Sequence, residues 1–354
     1  MTLLRYLSRL FLARFALAFA GLVALLQLLD LLDRASTVLS KGTVADLVHY
    51  AGMRLPTVAA GVLPLAALVA SLLLCTRLAG TLEAAALRAA GVGTRGMLAR
   101  LLPACLVLAA LQGALTVYAA PRAERALADW WAARGGEPDP AARATRRLWL
   151  RAGTDVVAVE RVAPGGARLE GVMLVRRDPA GHALARVDAR AAEWTSGGWV
   201  LRDATLVHAG GDRAEHAASL PWPGGPSPEN MAALTRPPEA LAPLTLLAAL
   251  RGEWAVQRGP AWVRTRLHAA AARPVAPLVM LLLALPAVLV VPRGGGSPAT
   301  AALGFVLGVL YLFTGGLLGA LGEAGLLPPA LAAWAAPVGF AAAGAVRLVR
   351  AEED

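Results

Sequence analysis

The chain has 354 residues, of which 57% are hydrophobic and only 16% charged, too apolar for an ordinary soluble domain. Its net charge of +10 is almost all arginine, Lys41 being the only lysine, and acidic and basic residues nearly cancel between 121 and 262. Much of the excess flanks apolar runs instead, which argues against nucleic-acid binding and for a protein that crosses a membrane.

Arg5, Arg9 and Arg14 precede an apolar run over 15–32. The run is too long for the core of a secretory signal, and it ends in Asp30, Asp33 and Arg34 rather than in a small-residue cleavage site. It reads as a retained first span, since about 20 helical residues at ~1.5 Å each cross a ~30 Å hydrocarbon core. Residues 36–54 read as an external loop. A second span follows over 55–76 and a third over 97–120, with Pro56, Pro64 and Pro103 placed near span ends or in outer turns, where a missing N–H costs least.

The connection between these two spans, 77–100, carries Arg77, Arg88, Arg95 and Arg100 against the single acid Glu83. That bias puts it on the cytoplasmic side. Its 82–90 stretch is rich in Ala and Leu and is stopped by Gly91, so it reads as a two-turn helix outside the bilayer. Such a helix is either part of an ordinary positive-inside loop or a socket for a soluble partner.

After Ala120 the chain turns polar. Residues 122–134 continue as helix, with Trp130 and Trp131 placed like an interfacial belt. Runs at 155–162, 169–176, 183–193 and 199–207 alternate with Pro-, Gly- and Asp-rich turns and predict an antiparallel β domain. Residues 221–243, with many prolines, read as an irregular return. Three more spans follow at 273–291, 299–321 and 331–349, the first of them ending in a tight turn at 292–296. The predicted organisation is residues 1–120 with three spans, 121–262 as an external β domain, and 263–354 with three spans, both termini inside.

No G-x-x-x-x-G-K-[ST] motif exists, because Lys41 follows Ser40, so no standard Walker A site can be present. The five histidines lack metal-ligand spacing, and Cys75 and Cys105 lie within apolar runs as small buried residues. No catalytic or metal site is expected. Asp30 and Asp33 share a helix face beside Arg34, which suggests local pairing. Glu323 falls in an external turn. Gly304, Gly308, Gly315 and Gly319 recur at the spacing that lets helices approach closely in lipid, either within the subunit or at a seam with another.

The order Leu55-Pro56, Leu63-Pro64-Leu65-Ala66-Ala67-Leu68, Leu78-Ala79, Glu83 and Leu87-Arg88-Ala89-Ala90-Gly91-Val92 resembles the lipopolysaccharide export permeases LptF and LptG. The likeness covers nearly the whole chain. It continues through Arg5-Tyr6, Ala120-Pro121, Val159-Glu160-Arg161-Val162, Arg273-Pro274, Pro277-Leu278 and Leu326-Leu327-Pro328-Pro329. Within the family, Ala158–Val162 and the loop sequence look more like LptG, with the LptF partner subunit as the alternative.

The resemblance implies a mainly α-helical membrane protein with six transmembrane helices, in a 3+3 arrangement, and a periplasmic β-jellyroll between the third and fourth. It implies an LptF–LptG heterodimer on an LptB-type ATPase dimer, joined by an LptC-type bitopic protein, with lipopolysaccharide as substrate. ATP would be bound by the partner ATPase, leaving this chain without a cofactor and without enzymatic activity of its own. Glu83, Leu87, Arg88 and Gly91 would then form the ATPase-coupling helix. Arg34, Lys41 and Arg54 are the expected contacts for lipid phosphates, and Gly304, Gly308, Gly315 and Gly319 would line a gate between the fifth span and its partner's first. A membrane-embedded lipid-modifying enzyme and a scaffold tethering a β domain are the readings from other classes.

Overall fold

The computed structural model describes residues 2–40, 42–81, 83–134, 148–152, 154–163, 165–178, 180–210, 214–234, 240–251, 259–286 and 298–353. The chain divides into two compact units, residues 1–124 with 264–354, and residues 125–263. Among the described residues, six helices are long and apolar enough to cross a membrane.

The first span is α1, Thr2–Leu39, and the second is α2, Val44–Gly80. A short helix, α3, Glu83–Ala89, precedes α4, Thr94–Ala114. The third span continues from α4 through a π-helical turn, Leu115–Ala119, into α5, Ala120–Ala133. Two short helices, α6, Pro228–Leu234, and α7, Pro243–Leu250, follow the sheet. The fourth span joins α8, Pro260–Ala272, through a 3-10 turn at Arg273–Val275 to α9, Ala276–Ala284. The last two spans are α10, Pro298–Glu323, and α11, Pro329–Glu353.

Three sequence expectations change. Most of 36–54 is helix rather than loop, because α1 runs on to Leu39 and α2 starts at Val44. The Asp46 carboxylate accepts from the Thr43 N–H at 2.8 Å and its hydroxyl at 3.0 Å, which starts α2 ahead of the apolar run. The fourth span begins at Pro260 rather than Arg273; its predicted end and the turn at 292–296 lie outside the described residues. Pro56 and Pro64 sit inside α2, and Pro103 inside α4, not at helix ends.

Polar side chains from neighbouring helices bond backbone carbonyls close to these prolines, and at Pro64 the carbonyl is the one left without a donor. Pro64 has no N–H for the carbonyl of Ala60. Gln112 Nε2, from α4, donates to that carbonyl at 3.1 Å and to Thr116 Oγ1 at 3.1 Å. Near Pro56, Gln27 Nε2 of α1 donates to the Ala51 carbonyl at 3.0 Å, and near Pro103 the Ser8 hydroxyl donates to the Arg100 carbonyl at 3.3 Å. Beside Gln112, a Cβ on Gly113 would lie 3.6 Å from Pro274 in the 3-10 turn. The 3-10 segment therefore lies against the end of α4, just before the π-helical turn.

The helix α2 is the centre of the membrane unit. Leu63, Ala66, Ala67, Leu68, Ala70 and Leu74 are fully buried in its core, against Leu7 and Phe11 of α1 and Met280 and Leu281 of α9. By contrast, little of the apolar stretch of α1 is fully buried, and Leu17 and Leu32 are 75% and 68% exposed. Water would not tolerate that surface, so it is covered by lipid or by another chain.

The other unit holds one antiparallel sheet of six strands in sequence order: β1, Leu148–Ala152; β2, Asp155–Val162; β3, Arg168–Arg177; β4, Ala183–Thr195; β5, Gly198–His208; and β6, Ala214–Trp222. The middle four were legible from the sequence, whereas β1 and β6 were not. The described part of the expected irregular return also contains α6, whose Met231 is fully buried on the sheet's core.

Strand alternation breaks at one level across the sheet. The core-facing pairs Val159 and Val162, Leu169 and Val172, Ala189 and Ala192, and Leu201 and Ala204 are each three apart instead of two. Pairing stays in register on both sides, Val159↔Val172↔Ala189↔Ala204 and Val162↔Leu169↔Ala192↔Leu201. Gly171 (φ 62°) and Asp203 (φ 50°) lie on this line in the left-handed region. The same extra residue in four neighbouring strands creases the sheet as a bulge bends one strand. Arg161–Glu170, Arg168–Glu193 and Arg202–Glu193 ion pairs, at 2.9, 3.3 and 3.2 Å, link neighbouring strands along this level.

Candidate functional site

The short helix α3 has the ending its sequence predicts. Gly91 takes φ 80°, and the Val92 N–H donates to the Leu87 carbonyl at 2.8 Å, closing a Schellman turn. At its first residue, the Glu83 carboxylate accepts a hydrogen bond from the Tyr6 hydroxyl at 3.0 Å, joining α3 to the start of α1 across 77 residues. Leu87, one turn on and on the same helix face, packs on the transmembrane core. Of the predicted coupling residues, Leu87 anchors the helix, half-buried Glu83 stands one turn earlier on the same face, and Gly91 is exposed at the helix end. Arg88 lies on α3, with its side chain outside the described set. Tyr6 was part of the resemblance, but nothing in the sequence assigned it a contact.

At the far end of the first two spans, Arg54 lies between two carboxylates. Its Nη2 donates to Asp30 Oδ1 of α1 at 3.2 Å and its Nη1 donates to Glu124 Oε1 of α5 at 2.8 Å. The Tyr50 hydroxyl donates to Asp30 Oδ2 at 2.9 Å. Glu124 is only 6% exposed, so this pair is shielded in a way surface pairs are not. Arg34 instead pairs with its neighbour Asp33 at 3.4 Å, the two side chains being 58% and 78% exposed. Of the three residues expected to meet lipid phosphate, then, Arg54 is engaged by protein carboxylates, Arg34 is open to the surroundings, and Lys41 lies outside the described residues.

The four glycines of the fifth span do not act alike. A Cβ on Gly308 would overlap the Leu68 side chain of α2, and one on Gly304 would meet Leu72 at 3.2 Å and the Leu283 carbonyl at 3.3 Å. Gly315 has only Ala336 of α11, at 3.9 Å, and Gly319 has nothing within 4 Å. Gly304 and Gly308 therefore serve packing inside this chain, while a Cβ on Gly319 would meet none of the described residues. At the end of the same helix, Glu323 pairs with Arg266 of α8 at 2.7 Å, a partner the sequence reading did not supply.

The model of the family described as "Lipopolysaccharide export system permease LptF/LptG" matches residues 5–350. No curated protein matches the sequence. With six apolar helices, a six-stranded antiparallel sheet between the third and fourth, and a family match over almost its full length, the chain belongs to the LptF/LptG family of lipopolysaccharide export permeases.

Proposed function

We infer from its family that the chain is a permease subunit of the lipopolysaccharide export system and a multi-pass inner-membrane protein. We propose that it is the LptG-type subunit, paired with an LptF-type subunit and driven by an LptB-type ATPase dimer, with an LptC-type bitopic protein alongside. Both termini face the cytoplasm and the β unit faces the periplasm. Lipopolysaccharide enters sideways from the outer leaflet, and ATP-driven closure pushes it towards the β domains. ATP is bound by the ATPase; this chain holds no cofactor and makes and breaks no covalent bond.

The observation that carries this reading is Glu83. A carboxylate at the edge of a short helix between two spans, in an arginine-rich connection, is presented where a soluble subunit can reach it, while Leu87 fixes the helix to the bundle. Arg34 supports the substrate reading, because an exposed guanidinium at a span end can bind a phosphate through a two-pronged contact. Gly319, facing open space, is the fifth-span glycine best placed for a seam with another subunit. Affinity capture of the tagged chain from its own membranes in mild detergent, followed by mass spectrometry, tests the assignment. An ATPase and a second permease subunit are expected; capture of the chain alone, turning over a lipid by itself, would overturn it.

A further inference from the structure

Helix α1 is the least buried of the six spans, so whatever holds its outer end governs how far it can move. Asp30 on α1 is held there by Tyr50 and Arg54 of α2. The same guanidinium reaches on to Glu124 in the first turns of α5. One planar cation joins three helices, using Nε and Nη2 for one carboxylate and Nη1 for the other. A lysine ammonium lacks that fork. The Arg54 and Asp30 side chains are 27% and 20% exposed and Glu124 is nearly buried, so each carboxylate depends on Arg54 for compensation. A lipid phosphate could bind Arg54 only by displacing one of them.

We infer that Arg54 is a positioning residue of the exporter, a clasp that fixes the outer end of α1 to the start of α5. Glu124 is the last residue of the membrane unit, and α5 leads in sequence into the β unit. Movement of α1 as substrate enters is therefore passed through Asp30 and Arg54 to the helix that precedes the sheet. The role in export rests on the permease reading; the clasp itself does not.

The test is a distance measured in the assembled permease complex in lipid nanodiscs. Spin labels go on exposed Leu32 of α1 and half-buried Ala123 of α5; the native cysteines Cys75 and Cys105 are buried. The wild type is expected to give one narrow distance distribution. Arg54→Gln and Glu124→Gln should both broaden it, and Arg54→Lys, able to hold one partner, should fall between. Lipopolysaccharide released per ATP hydrolysed should drop several-fold in the two glutamine variants while the assembled complex keeps an ATPase rate near wild type. If Arg54→Gln does not assemble, Glu124→Gln, which keeps the buried side chain's shape, decides alone. Unchanged distributions in assembled Glu124→Gln overturn the clasp. Absence of ATP-driven release by the wild type would overturn the permease reading and leave the distances standing.

Discussion

The side-chain nitrogen of Gln112 stands 3.1 Å from the carbonyl oxygen of Ala60, the carbonyl that Pro64 leaves without a helical donor. An interhelical bond thus replaces the bond that proline removes, and it pins the third span to the second at the level of Pro64. Gln112→Leu should cost about 1 kcal/mol, the scale of a hydrogen bond within a membrane or protein interior. In a Pro64→Ala background the helix supplies its own N–H, so the same Gln112 change should cost distinctly less. Equal losses in both backgrounds, read by thermal unfolding in detergent, would refute the pairing.

How far the sequence goes is visible in these helices. Spans announced themselves as apolar runs, and the arginine bias and Gly91 placed α3. The start of the fourth span was missed because Arg264, Arg266 and His268 dilute the hydrophobicity of a helix that nevertheless continues. The crease in the sheet was missed because one extra residue looks like noise in a single strand. It becomes a pattern only when Val159/Val162 and its three counterparts are aligned by pairing. Nothing in the sequence joins Arg54 to its carboxylates, which come from 24 and 70 residues away.

Gly308 should not tolerate bulk. A Cβ there overlaps Leu68, so Gly308→Leu should destabilise the chain by roughly 1–3 kcal/mol through overpacking. Gly319→Leu, at an open site, should leave the chain's own unfolding temperature unchanged and weaken cross-linking to the second permease subunit. A Gly319 variant with native cross-linking would assign that face to lipid.

A cysteine at Gly211, in the segment between β5 and β6, should react with a membrane-impermeant thiol reagent in cells whose outer membrane alone is permeabilised. Labelling that appears only after the inner membrane is broken would reverse the orientation of the β unit.

Reversing Arg34 and Lys41 together to Glu should reduce photo-cross-linking of lipopolysaccharide to the first span. The loss of one charge-assisted contact, about 1.5–3 kcal/mol, corresponds to roughly 10- to 100-fold in binding. ATPase association should be unaffected. Full cross-linking and full export in the double variant would remove these residues from the phosphate site.

Coupling through Glu83 is the centre of the account. The direct measurement is ATP-dependent release of lipopolysaccharide from proteoliposomes holding the complete complex, with wild-type chain, Tyr6→Phe or Glu83→Arg. Wild type should release lipid only with ATP. Tyr6→Phe, which loses one exposed hydrogen bond worth about 0.5–1.5 kcal/mol, should release it somewhat more slowly. Glu83→Arg should abolish release with the six-span fold intact, by loss of either ATPase association or its coupling to transport. Normal assembly and normal ATP-driven release by Glu83→Arg would contradict the account.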